Sequence, residues 1–114
     1  MKIKYIIILS YFILFSTNVK GQKVKFQKAS FSVSGNCSMC KNKIEFAANS
    51  VDGVRNSKWN IDTKKMKIKF NPLLTDLSEI QSNIANIGYD TEKYRAEDEV
   101  YDKLHYCCKY ERKL

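Results

Sequence analysis

Cys37 and Cys40 stand three positions apart at the junction of a strand-like run and a helix-like run, and that junction constrains the rest of the chain. Residues 26–34 end in period-2 alternation, with Phe31 and Val33 on one side and Ser32 and Ser34 on the other, the pattern of a half-buried strand. Gly35-Asn36 breaks it. Cys40, Ile44, Ala47, Ala48 and Val51 then share one face of a helix. This register puts Cys40 at the edge of the buried face and leaves Cys37 in the loop, the more exposed of the two. A helix N-terminus offers unpaired N–H groups and a partial positive charge, which lower a thiol pKa. Two thiols placed there can close on one soft ion or on each other.

The remaining elements follow from periodicity and breakers. Asp52-Gly53 ends the helix. Residues 54–61 predict a second strand with Ser57, Trp59 and Ile61 on one face; Trp59 is expected in the core. Asp62-Thr63-Lys64 turns the chain into a third strand, on which Met66, Ile68 and Phe70 alternate, so the two strands form a hairpin. Asn71-Pro72 stops it. Asp76 and Glu79 resemble a capping box ahead of Leu77, Ile80, Ile84 and Ile87 at helical spacing, and Gly88 closes that helix. Residues 89–94 predict a short last strand. The order is β-α-β-β-α-β, an α+β, ferredoxin-like sandwich. Glu97-Asp98-Glu99 opens an appended C-terminal helix whose far end carries Lys109, Arg112 and Lys113, in keeping with the helix dipole.

The N-terminus predicts export. Lys2 and Lys4 precede an apolar run, residues 5–15, broken only by Ser10, and cleavage is expected near Gly21/Gln22. The run is about 11 residues, short of the roughly 20 that span a bilayer. The organisation expected is a signal peptide over 1–21, one domain over 22–94 and an extension over 95–114, with a periplasmic or secreted destination and no membrane span once the signal is removed. Removal takes three lysines and no acid, so the formal charge of +8 falls to +5. Lys64, Lys65, Lys67 and Lys69 interleave with Met66, Ile68 and Phe70, which reads as the wet face of a strand rather than a nucleic-acid surface. The four cysteines come as one Cys-x-x-Cys and one adjacent pair, Cys107-Cys108. Disulfide frameworks scatter cysteines through loops, so local pairs read as ligands or redox thiols. A bond between adjacent Cys107 and Cys108 would be strained.

With these elements placed, the chain resembles the heavy-metal-associated domain family, which includes periplasmic mercury-binding proteins, copper chaperones and N-terminal domains of metal-pumping ATPases. The matching residues are Val33, Gly35, Cys37, Cys40, Ile44, Glu45, Ala47, Gly53-Val54 and Ile87-Gly88-Tyr89, spanning 33–94. One departure stands out. The family usually has Gly-Met-Thr-Cys before the loop, whereas Gly35-Asn36 leads straight to Cys37 here. The resemblance implies that Tyr89 occupies the late loop position that covers the metal; its alternative role is to cap the second helix. It also implies handover of an ion to a cysteine of a metal transporter or metal-ATPase domain, through a three-coordinate intermediate and without enzymatic chemistry.

Thiolate softness itself favours Cu(I), and also Hg(II) or Zn(II), with Cys37 and Cys40 as the expected ligands. Zn(II) normally asks for four donors. The rival reading is a thiol-disulfide oxidoreductase working through the same pair. Against it, Ser38-Met39 fills the space between the thiols, and the sole proline, Pro72, follows a strand rather than preceding one. Met39, next to the site, reads as a solvent-facing loop residue, with a weak thioether ligand as its alternative, and Glu45 reads as a solvated helix residue. In the tail, helical spacing puts Val100, Leu104 and Cys107 on one stripe and Tyr101, His105 and Cys108 on the next. The first stripe can pack on the domain with Cys107 as a small core residue. Alternatively His105, Cys107 and Cys108 are further candidate ligands, completing the site of Cys37 and Cys40 or forming a second one.

Overall fold

The computed structural model describes residues 25–112; the expected signal segment and Lys113 lie outside them. Three strands, β1 (Gln27–Ser32), β2 (Val54–Trp59) and β3 (Lys65–Phe70), form one antiparallel sheet in the order β1-β3-β2. Two helices, α1 (Ser38–Asn49) and α2 (Leu77–Asn86), pack together, and α1 also packs on β2. The register pairs Phe31 and Trp59 with Met66, and Ala29 and Ser57 with Ile68. Period-2 alternation therefore sends Phe31, Trp59, Met66, Ile68 and Phe70 inward against Ile44, Ala47, Ile80 and Ile84 of the helices. The same alternation sends Lys28, Lys58, Lys67 and Lys69 outward, with Lys28 opposite Lys69 and Lys58 opposite Lys67. This is the ferredoxin-like α+β fold the periodicity predicts.

Three local expectations are corrected. Residues 89–94 form no strand. Val33 and Thr91 make a single antiparallel bridge, supported by amide bonds from Ser34 to Asp90 and from Glu92 to Ser32, both 2.9 Å. Pairing stops there because the chain turns on itself: the Thr91 amide donates to the Tyr94 carbonyl (2.7 Å) and the Tyr94 amide to Thr91 Oγ1 (3.1 Å). Glu45 is not a solvated residue. Its Oε2 accepts the Trp59 amide at 2.9 Å, which ties α1 to an edge strand. Ile87 is 38% exposed rather than part of the buried stripe, because α2 has already ended at that position. The Asp76 cap forms as expected, accepting the Glu79 amide at 2.8 Å, while the Glu79 carboxylate turns to the Thr75 hydroxyl.

The tail also departs from a single helix. It is one short helix, α3 (Asp98–Asp102), then an extended His105 and a 3-10 turn, Tyr106–Cys108. Tertiary contacts override the helical pattern. Leu104 lies over Gly88, where an added Cβ would stand 3.0 Å from Leu104 Cδ2 and where φ is +110°. Beyond the turn, Tyr110 is inserted edge-on against Tyr101. Its hydroxyl donates to the Gly88 carbonyl (2.9 Å) and accepts the Asp90 amide (2.8 Å). A continuous helix could not bring Tyr110 back to that position.

Arg112 locks the tail. Its guanidinium forks onto Asp90 at 3.0 and 2.7 Å and reaches Asp98 at 2.7 Å, with Arg112 and Asp90 only 11% and 14% exposed. Burial opposes ionisation of Asp90, but the bonds from Arg112 and the Ala96 amide hold its carboxyl below the usual range. A depressed folded pKa stabilises the fold above the unfolded value and is lost as pH falls through the folded one. The thermal midpoint is therefore expected to drop on acidification below about 4, and more steeply in wild type than in Arg112→Ala. At neutral pH that variant loses about 3 kcal/mol, the usual cost of stranding one partner of a desolvated pair. Parallel acid dependences in the two proteins would show that the lock contributes nothing.

Candidate metal centre

The loop before α1 is pressed against the core. An added Cβ on Gly35 would stand 3.0 Å from the Trp59 ring and 3.1 Å from Ile44 Cδ1, so only glycine lets the chain pass this close. The Asn36 side chain donates to the Lys109 carbonyl at 2.9 Å, joining the loop to the tail. Cys37 follows as the N-cap of α1, with extended backbone (φ −143°, ψ 176°). A serine or aspartate commonly holds this position, because its side chain accepts from the first helical amides. Here a sulfur is offered to them.

Cys37 and Cys40 are free thiols with sulfurs 3.5 Å apart, Cys37 half-buried and Cys40 fully buried. The third member is Cys108, also fully buried; the sulfurs of Cys37, Cys40 and Cys108 all lie within 4.8 Å of one another. Cys107 points to the outer side. Its sulfur is 3.7 Å from Cys37, 3.3 Å from His105 Nδ1 and 3.9 Å from the sulfur of Met39. The structure thus brings all five sequence candidates, Cys37, Cys40, His105, Cys107 and Cys108, to one corner of the fold. Sequence reasoning missed the Asn36 tie. The adjacent cysteine pair was the signal for the cluster, but its burial pattern runs opposite to the helical stripes. Cys108 is the core residue and Cys107 the outer one, because a 3-10 turn carries them.

Tyr89 lies fully buried beneath the thiols, stacked near Tyr110 (centroids 6.1 Å apart). Its hydroxyl is buried without a hydrogen-bond partner. Burial first, then the neighbouring thiols of Cys108 and Cys40, push that hydroxyl far above its usual range.

The thiols are not equivalent. The Cys40 amide foremost, then the Cys40 and Cys107 thiols and the Met39 amide, outweigh desolvation and bring Cys37 down to about 7. Burial, then Cys108, pushes Cys40 up. Burial, then Cys37, pushes Cys107 up. Limiting iodoacetamide on the reduced protein is expected to label Cys37 first, with a rate that rises through about pH 7. Peptide mapping that found Cys40 or Cys108 modified ahead of Cys37 would contradict both the register of α1 and this ordering.

A small α+β sandwich that displays paired thiols at the start of its first helix is a recognisable class of domain. The sequence pattern of the heavy-metal-associated domain matches residues 30–90, and the chain belongs to that family. It is 30% identical over 93 residues to a copper-exporting P-type ATPase of Staphylococcus haemolyticus, covering 81% of this chain but 12% of the ATPase. A copper-exporting P-type ATPase of Staphylococcus epidermidis is 33% identical over 73 residues, 9% of its length. The chain therefore spans only 9–12% of these relatives. Among solved structures, oxidized MerP from Ralstonia metallidurans is 25% identical, with a TM-score of 0.57 over 60% of this chain and 96% of MerP. The Cu(I)-loaded N-terminal domain of a potential copper-translocating P-type ATPase from Bacillus subtilis is 26% identical, with a TM-score of 0.57 over 67% of this chain and 96% of that domain. No helix among the described residues is long and apolar enough to cross a membrane.

Proposed function

We propose that the chain is an exported carrier of a soft metal ion, Cu(I) foremost and Hg(II) or Zn(II) as alternatives, which it captures on Cys37 and Cys40 and passes to a metal transporter or metal-ATPase domain. The observation that carries this is the pair of free sulfurs 3.5 Å apart, one half-exposed and one buried, at the amide end of α1. The half-exposed Cys37 is the sulfur an incoming partner thiol can reach; the buried Cys40 anchors the ion. The names of the relatives, copper-exporting ATPases and MerP, support a thiophilic cargo. Export rests on residues 1–21. Transfer of an ion between thiolates makes and breaks only metal–sulfur bonds, so no enzymatic step is involved.

Titrating the reduced protein with Cu(I) against a chelating dye tests this: one ion per chain should resist the dye. A second reading has one observation in its favour. A Cys37 thiol near neutrality, 3.5 Å from a second thiol, also suits thiol-disulfide exchange. A disulfide that oxidises a substrate protein has a potential near or above about −200 mV. A protein that reaches that range, turns over a dithiol substrate and fails the dye competition is an oxidoreductase.

A further inference from the structure

We infer that Cys108 is the third ligand of the same ion, so that the tail closes the Cys37–Cys40 pair into a three-thiolate site; this rests on the carrier reading above. Geometry argues first. With metal–sulfur bonds of about 2.3 Å, a linear two-sulfur site needs sulfurs about 4.6 Å apart, whereas a trigonal three-sulfur site needs edges of about 4 Å. Cys37 and Cys40 are 3.5 Å apart, nearer the trigonal edge than the linear span. Cys108 completes a triangle whose sulfurs all lie within 4.8 Å of one another. Small side-chain movements bring three sulfurs of this spacing to a common centre.

The surroundings argue second. The Tyr89 hydroxyl is buried without an acceptor, in contact with the environment of Cys108 and Cys40. An unpaired buried hydroxyl is costly. A metal-bound thiolate is an acceptor, so loading the site gives Tyr89 the partner it lacks. The three thiol protons leave to solvent on binding. The resulting excess negative charge faces the Tyr89 hydroxyl and the amides at the start of α1.

The placement of Cys108 argues third. The tail is fastened just after this residue. Asn36 holds the Lys109 carbonyl, Tyr110 bridges Gly88 and Asp90, and Arg112 grips Asp90. The third sulfur is preorganised, so little ordering entropy opposes its use. Cys107 and His105 lie outside the triangle and are not needed to complete it.

One consequence concerns transfer. A partner thiol that approaches a two-sulfur site adds a third bond freely. Here it must displace Cys108 before it can bind in that position. The chain should hold its ion more tightly and release it more slowly than a two-thiolate carrier, which suits scavenging over rapid delivery.

X-ray absorption at the copper edge of the reduced, Cu(I)-loaded protein decides the point. Three sulfur ligands are expected, and two in Cys108→Ser and Cys108→Ala, each with affinity lower by at least about tenfold in dye competition. Circular dichroism confirms that the variants are folded. Two sulfur ligands in wild type overturn the inference even if neither variant folds, as does unchanged affinity in both folded variants. The carrier reading fails separately, if a Cys37→Ser/Cys40→Ser protein still competes with the dye as wild type does.

Discussion

Serine at both Cys37 and Cys40 is expected to abolish Cu(I) and Hg(II) binding in competition with a chelator. A hydroxyl is a hard, protonated donor at neutral pH and does not replace a thiolate toward a soft ion. The remaining thiols, Cys107 and Cys108, are adjacent in a 3-10 turn, Cys107 half-buried and Cys108 fully buried. The substitution at Cys40 buries a hydroxyl and costs about 1–3 kcal/mol of stability unless it finds an acceptor. The measurement therefore needs a circular dichroism control alongside the dye competition. A folded double variant that binds like wild type would move the site elsewhere.

Trp59→Ala is expected to lower stability by about 3–5 kcal/mol, the range for truncating a large core aromatic. Trp59 is fully buried and serves several elements at once. Its indole Nε1 donates to the Val33 carbonyl at 3.0 Å, its amide donates to Glu45, and its ring covers Gly35. The loss is a large fraction of the roughly 5–15 kcal/mol that holds a domain together. Because the ring supports the residue two positions before Cys37, the folded fraction should also bind Cu(I) more weakly. Trp59→Phe keeps most of the volume and loses the indole bond, so it should cost less. An unchanged urea midpoint in Trp59→Ala would mean that the core is organised differently.

The parts of this protein that repeat with a short period were readable from its residues. Phe31, Met66, Ile68 and Phe70 alternate because a strand alternates, and Cys40, Ile44, Ala47 and Ala48 follow the helical turn. Gly35 and the thiol pair were readable as a loop that opens a helix. The parts decided by distant contacts were not. Glu45 looks solvated by composition, but the unpaired amide of an edge strand 14 residues away claims its carboxylate. Residues 89–94 follow a helix stop and read as a last strand, but a turn at Thr91 ends the pairing. The tail pattern suits a helix, yet Leu104 over Gly88 and Tyr110 against Tyr101 stabilise a broken path more. That path exchanges the roles expected of Cys107 and Cys108. It also unites two cysteine pairs that lie far apart in sequence.

The lysines on the outward face of the sheet have an effect of another kind. Lys28 faces Lys69 and Lys58 faces Lys67 across neighbouring strands, with no acid between them in the register. Like charges set opposite each other weaken a sheet by tenths of a kcal/mol per pair, on the order of 0.2–1 kcal/mol. Counter-ions that screen them favour the fold, the reverse of what salt does to an ordinary surface ion pair. The same crowding makes face-to-face stacking of two copies unfavourable at low ionic strength. Repulsion on this face therefore opposes self-association of the protein.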